Sequence, residues 1–408
     1  MPARRLGLAA LLVAVTAVGG CGSGGADSDE ATGAELSVYS SLPLQGPTAA
    51  ISEQIVGGEK LALAQAGGRA GRFHIGYVSL DDANPASGSW SPGVTASNAK
   101  TAAQDTSTIA YLGDYNSPAT AVSLPLMNAA GIPQISPGSP YVGLTSSLDA
   151  GQDEPERFYP SGRRTFIRLP PGNPVEAAAQ VRLMSSLKVH KLYLLDDQDP
   201  FALPLAEIVA GDAGLAHISV LGHDSIPVLG SSVFTGEVEK IVASRAQAVF
   251  FSGEGSEAAA ILWQELHTAD PKLLLLGSSS TAQESFASQI GPAAAHAYIG
   301  TPILPTSLYP PAAEQVLGAY RRAFGGEATA YALYGYEAMR LVLQAIRGAG
   351  ANGNNRQIVT QRLFAGRHPY SVLGPFSIEP DGETTLMRYG VDRMSDGRLV
   401  FYRAFSTR

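Results

Sequence analysis

Several short groupings in this chain have the residue types and spacing of reactive sites. Ser97-Asn98-Ala99-Lys100 sets a hydroxyl and an amine at the spacing of a serine–lysine nucleophile pair, which would make the protein a secreted serine hydrolase. The companion motifs SDN and KTG are absent, and so is a G-x-S-x-G elbow. Gly253-Glu254-Gly255-Ser256-Glu257-Ala258 fits the G-x-G-x-x-A turn that cradles a dinucleotide. The acid expected at the end of the next strand is missing, since 273–276 leads into Gly277 and Ser278. These glycines read instead as places where the chain approaches a cleft closely. Asp81-Asp82 offers acid–base chemistry or a cation site, or a pair that shapes a strand-end loop. The seven histidines form no H-E-x-x-H pattern, and Cys21 is the single cysteine. No metal site and no cofactor is expected.

Cys21 has another use. Arg4 and Arg5 precede an apolar run, 6–18, that ends in Gly19-Gly20-Cys21. A basic start, a short apolar stretch and small residues at its end read as a secretion signal. The run falls short of the roughly 20 residues that span a bilayer. Val18-Gly19-Gly20-Cys21 resembles a bacterial lipobox, which implies a diacylglyceryl group on the Cys21 sulfur and an anchor in the cell membrane. Two acyl chains at one residue suffice for stable anchoring. Residues 22–35, small, polar and acidic, read as a flexible tether.

Composition narrows the partners. The 408-residue chain is 45% hydrophobic and carries a net charge of -8. Removing residues 1–20 takes two arginines from 28 basic residues and no acid, leaving 26 bases against 36 acids. An acidic chain without clustered Lys and Arg is a poor ligand for nucleic acid.

The candidates need a scaffold, and from Leu36 onward apolar strand-like runs alternate with helical ones. Strands are expected at 36–40, 73–80, 109–112 and 132–136, with helices at 48–66, 95–106 and from Ser117. The inner face of the last is Ala119, Val122, Leu126 and Ala130. The series then repeats from 165 to 276 and closes with helices at 312–324 and 330–347. This predicts an α/β fold of two doubly wound parallel-sheet lobes joined by hinge crossovers. The expected division is a signal at 1–20 and a lipidated tether at 21–35. The first lobe takes 36–158 plus about 298–372, the second 159–297 plus about 373–408. Such lobes bind ligands beyond the carboxyl ends of their strands, where helix N-termini carry partial positive charge.

Motif order adds a resemblance. Pro43-Leu44-Gln45-Gly46-Pro47, Gly57-Gly58-Glu59-Lys60-Leu61-Ala62, Asp81-Asp82-Ala83-Asn84-Pro85, the block from Gly113 to Pro137 and the late Gly374-Pro375-Phe376 follow the lipobox in sequence. The arrangement resembles the substrate-binding lipoproteins of branched-chain amino-acid-type ABC transporters, the type I periplasmic binding proteins, of which leucine-binding protein is one. The resemblance implies a non-enzymatic, monomeric receptor that captures a small polar ligand between two lobes and delivers it to an ABC permease. It equally allows a ligand sensor of the same fold.

The resemblance also implies site residues. Ser117 follows a strand and opens a helix, so its hydroxyl can cap that helix or bind a ligand carboxylate. Gly138 and Ser139 follow the next strand. The family usually has a hydroxyl where Pro140 stands, and proline offers neither hydroxyl nor N–H, which leaves Ser139 as the substitute. The acid that often holds a ligand ammonium is absent from Gly277-Ser278-Ser279. Glu254, where an aromatic is common, is either a counter-charge for a cationic ligand or a solvated loop residue. Phe201 either covers the ligand or packs within its lobe. Asn116 and Ser279 complete the expected set.

Overall fold

The computed structural model describes residues 29–227, 233–395 and 397–407. Cys21, the expected signal and residues 22–28 lie outside the described residues.

The strand-like runs form two large sheets. The first has the order β2 (Arg69–Ala70), β3 (Phe73–Asp81), β1 (Leu36–Leu42), β4 (Thr108–Gly113), β5 (Gln134–Ser136), β6 (Phe166–Arg168). Its neighbours are parallel except for the short β2, which pairs antiparallel with β3. Strands β1 and β4 are buried at every residue, as strands covered by helices on both faces must be. The second sheet has the order β15 (Arg398–Ser406), β14 (Arg388–Ser395), β11 (Ala297–Thr301), β10 (Leu274–Gly277), β9 (Ala248–Ser252), β7 (Lys191–Asp196), β8 (Ser219–Ser225). It is parallel from β11 to β8, and β14 and β15 add antiparallel. A separate ribbon pairs β12 (Arg367–His368) with β13 (Phe376–Ser377).

Helices α1 (Ala49–Gln65), α2 (Pro92–Gln104), α3 (Ser117–Ala129), α9 (Pro311–Phe324), α10 (Ala330–Ala349) and α11 (Arg356–Phe364) belong to the first lobe. Helices α4 (Asn173–Ser186), α5 (Leu203–Leu215), α6 (Thr235–Ser244), α7 (Glu257–Ala269) and α8 (Glu284–Gln289) belong to the second. Several open on a proline in the first turn, where a missing N–H costs no helical bond.

The chain changes lobe later, and returns later, than its composition suggests. Strand β6 pairs with β5, so the first lobe runs past 158 to Arg168. Strand β11 pairs with β10, so the second lobe extends to Thr301. Leu373, Phe376 and Ile378 sit in the first lobe's core, and the final return comes just before β14. A parallel strand reads alike in either sheet, so only pairing assigns it. The tether is also shorter than expected. Ala31 is buried, its N–H donates to Asn354 O at 2.8 Å, and Thr32 N–H donates to Thr106 O at 2.9 Å. Residues 29–35 are therefore fixed to the first lobe.

Helix α10 crosses α1 at backbone contact. A Cβ on Gly335 would lie 2.0 Å from Ile55 O, and one on Gly58 would lie 2.0 Å from Ala332 O. Helix α3 buries Ala119, Thr120, Ser123, Leu124, Met127 and Asn128, while the expected Val122 and Leu126 are only half-buried. Apolar periodicity misplaced this face because its buried residues are largely polar. Ser123 donates to the buried Asp114, Gln134 Nε2 donates to Ser123 Oγ at 2.8 Å, and Asn128 Nδ2 donates to Thr165 Oγ1 at 2.8 Å. Satisfied in this way, they bury without a large penalty.

This lobe also holds buried carboxyls. Glu59 on α1 is fully buried, receives the Tyr77 hydroxyl at 2.5 Å, and is pushed up to about 8 chiefly by desolvation. Burial also raises Asp82 and Asp114, and the charge of Asp114 adds to the rise at Asp82. The folded protein thus holds protons that the unfolded chain has released, and stability is lost as pH rises through the folded values. Between pH 6.5 and 8, Glu59 alone is expected to remove roughly 1–2 kcal/mol. Urea unfolding at the two pH values checks this, and Glu59→Gln should flatten the slope.

Candidate functional site

A cavity of about 120 Å³ lies between the lobes. One water needs roughly 10–15 Å³ by this measure, so the space suits a small solute. Its walls come from the carboxyl ends of both sheets, the position that doubly wound sheets reserve for ligands. From the first lobe come Tyr115, Asn116 and Ser117 after β4, and Pro137, Gly138, Pro140 and Tyr141 after β5. From the second come Asp197, Asp199 and Phe201 after β7, Gly253 and Glu254 after β9, and Ser279 after β10. Pro170, Pro171 and Pro302 line it from the crossovers.

Six of the seven expected ligand-binding residues meet here. Ser117 is buried at the first turn of α3 and lines the cavity. The N-cap position of α3 is Asn116, not Ser117; the Ser117 Oγ accepts the Tyr141 N–H at 3.2 Å and retains its own proton to donate. Asn116 Oδ1 is buried with no partner among the described residues. Phe201 meets Tyr141 edge to face, with ring centroids 4.8 Å apart, so the two lobes touch at one rim of the cavity. Gly138 lies against Tyr115, where a Cβ would come within 2.5 Å of the ring.

Ser139 is a correction. It is fully buried behind the wall, with its Oγ 2.6 Å from Thr120 Oγ1 and donating to Asp114 O at 3.1 Å. It does not line the cavity and does not replace the hydroxyl missing at Pro140. Ser97 and Lys100 lie on the exposed face of α2, away from the cavity. Gly253 lines the cavity as expected, whereas Gly255 does not and lies against the lobe's own core. A Cβ on Gly253 would lie 2.5 Å from the Phe251 ring, and one on Gly255 3.0 Å from Phe286.

An acid does stand beside Ser279, and it comes from α4. Glu176 is fully buried and lines the cavity. It accepts the Ser279 N–H at 2.6 Å, the Ser279 hydroxyl at 2.8 Å and the Tyr389 hydroxyl at 2.8 Å. Desolvation raises its carboxyl despite these three donors. Nothing local marks it, because it lies far from Ser279 in the chain. Asp197 and Asp199 were missed as well, although they follow a strand just as Glu254 does and that signal could have found them. Glu254 is exposed at the mouth of the cavity, and its carboxyl is raised by desolvation and then by the charges of Asp197 and Asp199. Asp197 is raised by burial although it accepts the Glu254 N–H at 2.9 Å.

Solved structures share this architecture. The leucine binding protein LivK of Thermotoga maritima superposes with a TM-score of 0.74 at 17% identity, over 91% of this chain and 99% of that one. LivJ of Streptococcus pneumoniae, a branched-chain amino acid transporter substrate binding protein in complex with isoleucine, gives 0.71 at 19% over 91% and 99%. An ABC transporter solute binding protein of R. palustris in complex with benzoate gives 0.71 at 16% over 91% and 96%. The comparison with curated proteins returned no match. The family model described as periplasmic binding protein matches residues 40–391, most of the chain and both walls of the cavity. The chain therefore belongs to the periplasmic binding protein family, a family of solute-binding proteins.

Proposed function

We propose that this protein captures a small polar solute between its lobes, without catalysis, and delivers it as a monomer to an ABC permease, held at the outer face of the cell membrane by a lipid on Cys21. The observation that carries this reading is the cavity itself, walled by strand ends of both sheets. Capture then needs only a closed state favoured by ligand contacts with both walls. A ligand that binds the closed form about 10⁴-fold better swings the population from 1:99 to 99:1. A branched-chain amino acid transporter substrate binding protein in complex with isoleucine and an ABC transporter solute binding protein in complex with benzoate have similar structures, which fits import of a small molecule.

A thermal-shift screen over amino acids, amides, short peptides and small carboxylates tests the reading, because a ligand bound only to the folded form raises its stability. Ser117→Ala is expected to weaken the resulting ligand at least several-fold by calorimetry, through loss of a donor in the wall. Unchanged affinity would remove Ser117 from the site.

A further inference from the structure

The cavity's charge is one-sided. Glu176, Asp197, Asp199 and Glu254 line it, and no Lys, Arg or His does among the described residues. Aromatic rings make up much of the remaining wall: Tyr115, Tyr141, Phe201, Tyr331, Tyr334 and Tyr389. Behind the first-lobe wall, Arg168 holds the Ser139 carbonyl and is already paired with Glu383 at 2.8 Å. The places where an anion would be caught are also closed. Gly138 and Ser139 turn their N–H groups to Ser136 Oγ at 3.1 and 2.9 Å, Pro140 has none, and Tyr141 gives its N–H to Ser117 Oγ. Pro118, in the first turn of α3, removes a further helix N-terminal donor. A ligand carboxylate would enter a site with four acids, no cationic side chain among the described residues, and only neutral donors such as Ser117 and Asn116 to meet it.

We infer that the ligand is an organic cation without a carboxylate, an amine or quaternary ammonium, held by the carboxylates of the second lobe and the aromatic faces of both. Carboxylates supply the opposite charge. Tyrosine and phenylalanine faces attract a desolvated cation through their ring quadrupoles. Removal from water strengthens both effects. The cation would also relieve the mutual repulsion among Glu254, Asp197 and Asp199. This inference deepens the solute-receptor reading and rests on it.

The test uses the whole mature protein and amines matched to the amino acids from which they differ only by loss of the carboxylate: agmatine with arginine, cadaverine with lysine, tyramine with tyrosine, 3-methylbutylamine with leucine. Tetramethylammonium and neutral amides complete the set. At least one cation should raise the melting temperature and bind about tenfold or more tighter than its carboxylated partner. Affinity should fall as salt rises, since charge pairs at the cavity mouth are screened. Glu254→Gln should weaken the cation at least several-fold while leaving the unliganded melting temperature unchanged or raised. Equal or tighter binding of the amino acid, or a cation affinity indifferent to Glu254→Gln, overturns the cation assignment. A neutral amide or carboxylate as the best ligand leaves the receptor reading standing and removes this one. Stabilisation by no compound of any class removes both.

Discussion

Gly335→Val is expected to prevent the first lobe from folding. The Cβ of any side chain at 335 would lie 2.0 Å from the carbonyl oxygen of Ile55, and neither backbone can withdraw without separating α10 from α1. Overpacking a core by one or two methylenes already costs about 1–3 kcal/mol. Here the clash is with backbone rather than a movable side chain, so even Gly335→Ala should exceed that range. Gly348 is the internal control. It lies near the end of the same helix and a Cβ there meets nothing within 4 Å. Gly348→Ala should therefore stabilise by about 0.5–1 kcal/mol through reduced freedom of the unfolded chain. Circular dichroism melts of the three variants decide the matter. A Gly335→Ala protein that melts with the wild type would show that the helices do not cross this closely.

Arg168→Ala is the second large loss, expected at about 3 kcal/mol in urea unfolding. The side chain is fully buried at the end of β6 and joins three segments. It donates to Ser139 O at 2.8 Å and to Thr145 Oγ1 at 2.6 Å, and pairs with Glu383 at 2.8 Å. Removing one partner of a buried pair costs about 3–5 kcal/mol. The lower end applies because Glu383 keeps partial contact with water. Because Arg168 holds the carbonyl of Ser139, the substitution should also loosen the loop that forms the first-lobe wall and weaken ligand binding. Arg168→Lys keeps the charge but not the planar fork, so it should recover only part of the loss. A change below about 1 kcal/mol for the alanine variant would reduce the network to a surface pair.

Much of this architecture was legible because its signals are local. Strand-like runs rich in apolar and aromatic residues stand out locally, and 36–40, 73–80 and 109–112 lie within two residues of the observed β1, β3 and β4. Helix α3 was placed correctly at Ser117, while its buried face was misread because Thr120, Ser123 and Asn128 occupy it through hydrogen bonds that periodicity does not register. The lobe boundary failed for a related reason, since the run at 166–168 says strand without saying which sheet. At the site, some residues that follow strands were found, as Asn116, Ser117 and Glu254 were, while Asp197 and Asp199 after β7 were not. Glu176 was missed because it reaches the cavity from a helix whose tie to Ser279 exists only in three dimensions. Ser139 was overvalued because a hydroxyl in a loop does not reveal which way it points.

The meeting of α1 with α10 carries a consequence for biogenesis. Residues 66–329 separate the two helices, and all of the second lobe except β14 and β15 intervenes. Synthesis delivers the amino-terminal sheet first, yet its covering helix emerges near the end, and contacts of such large sequence separation form slowly. Until α10 arrives, the part of the early lobe that it packs against has no partner, so completion of that lobe waits on the later part of the chain. The middle segment, complete by β11 apart from its two antiparallel edge strands, is positioned to condense ahead of the half that begins the chain.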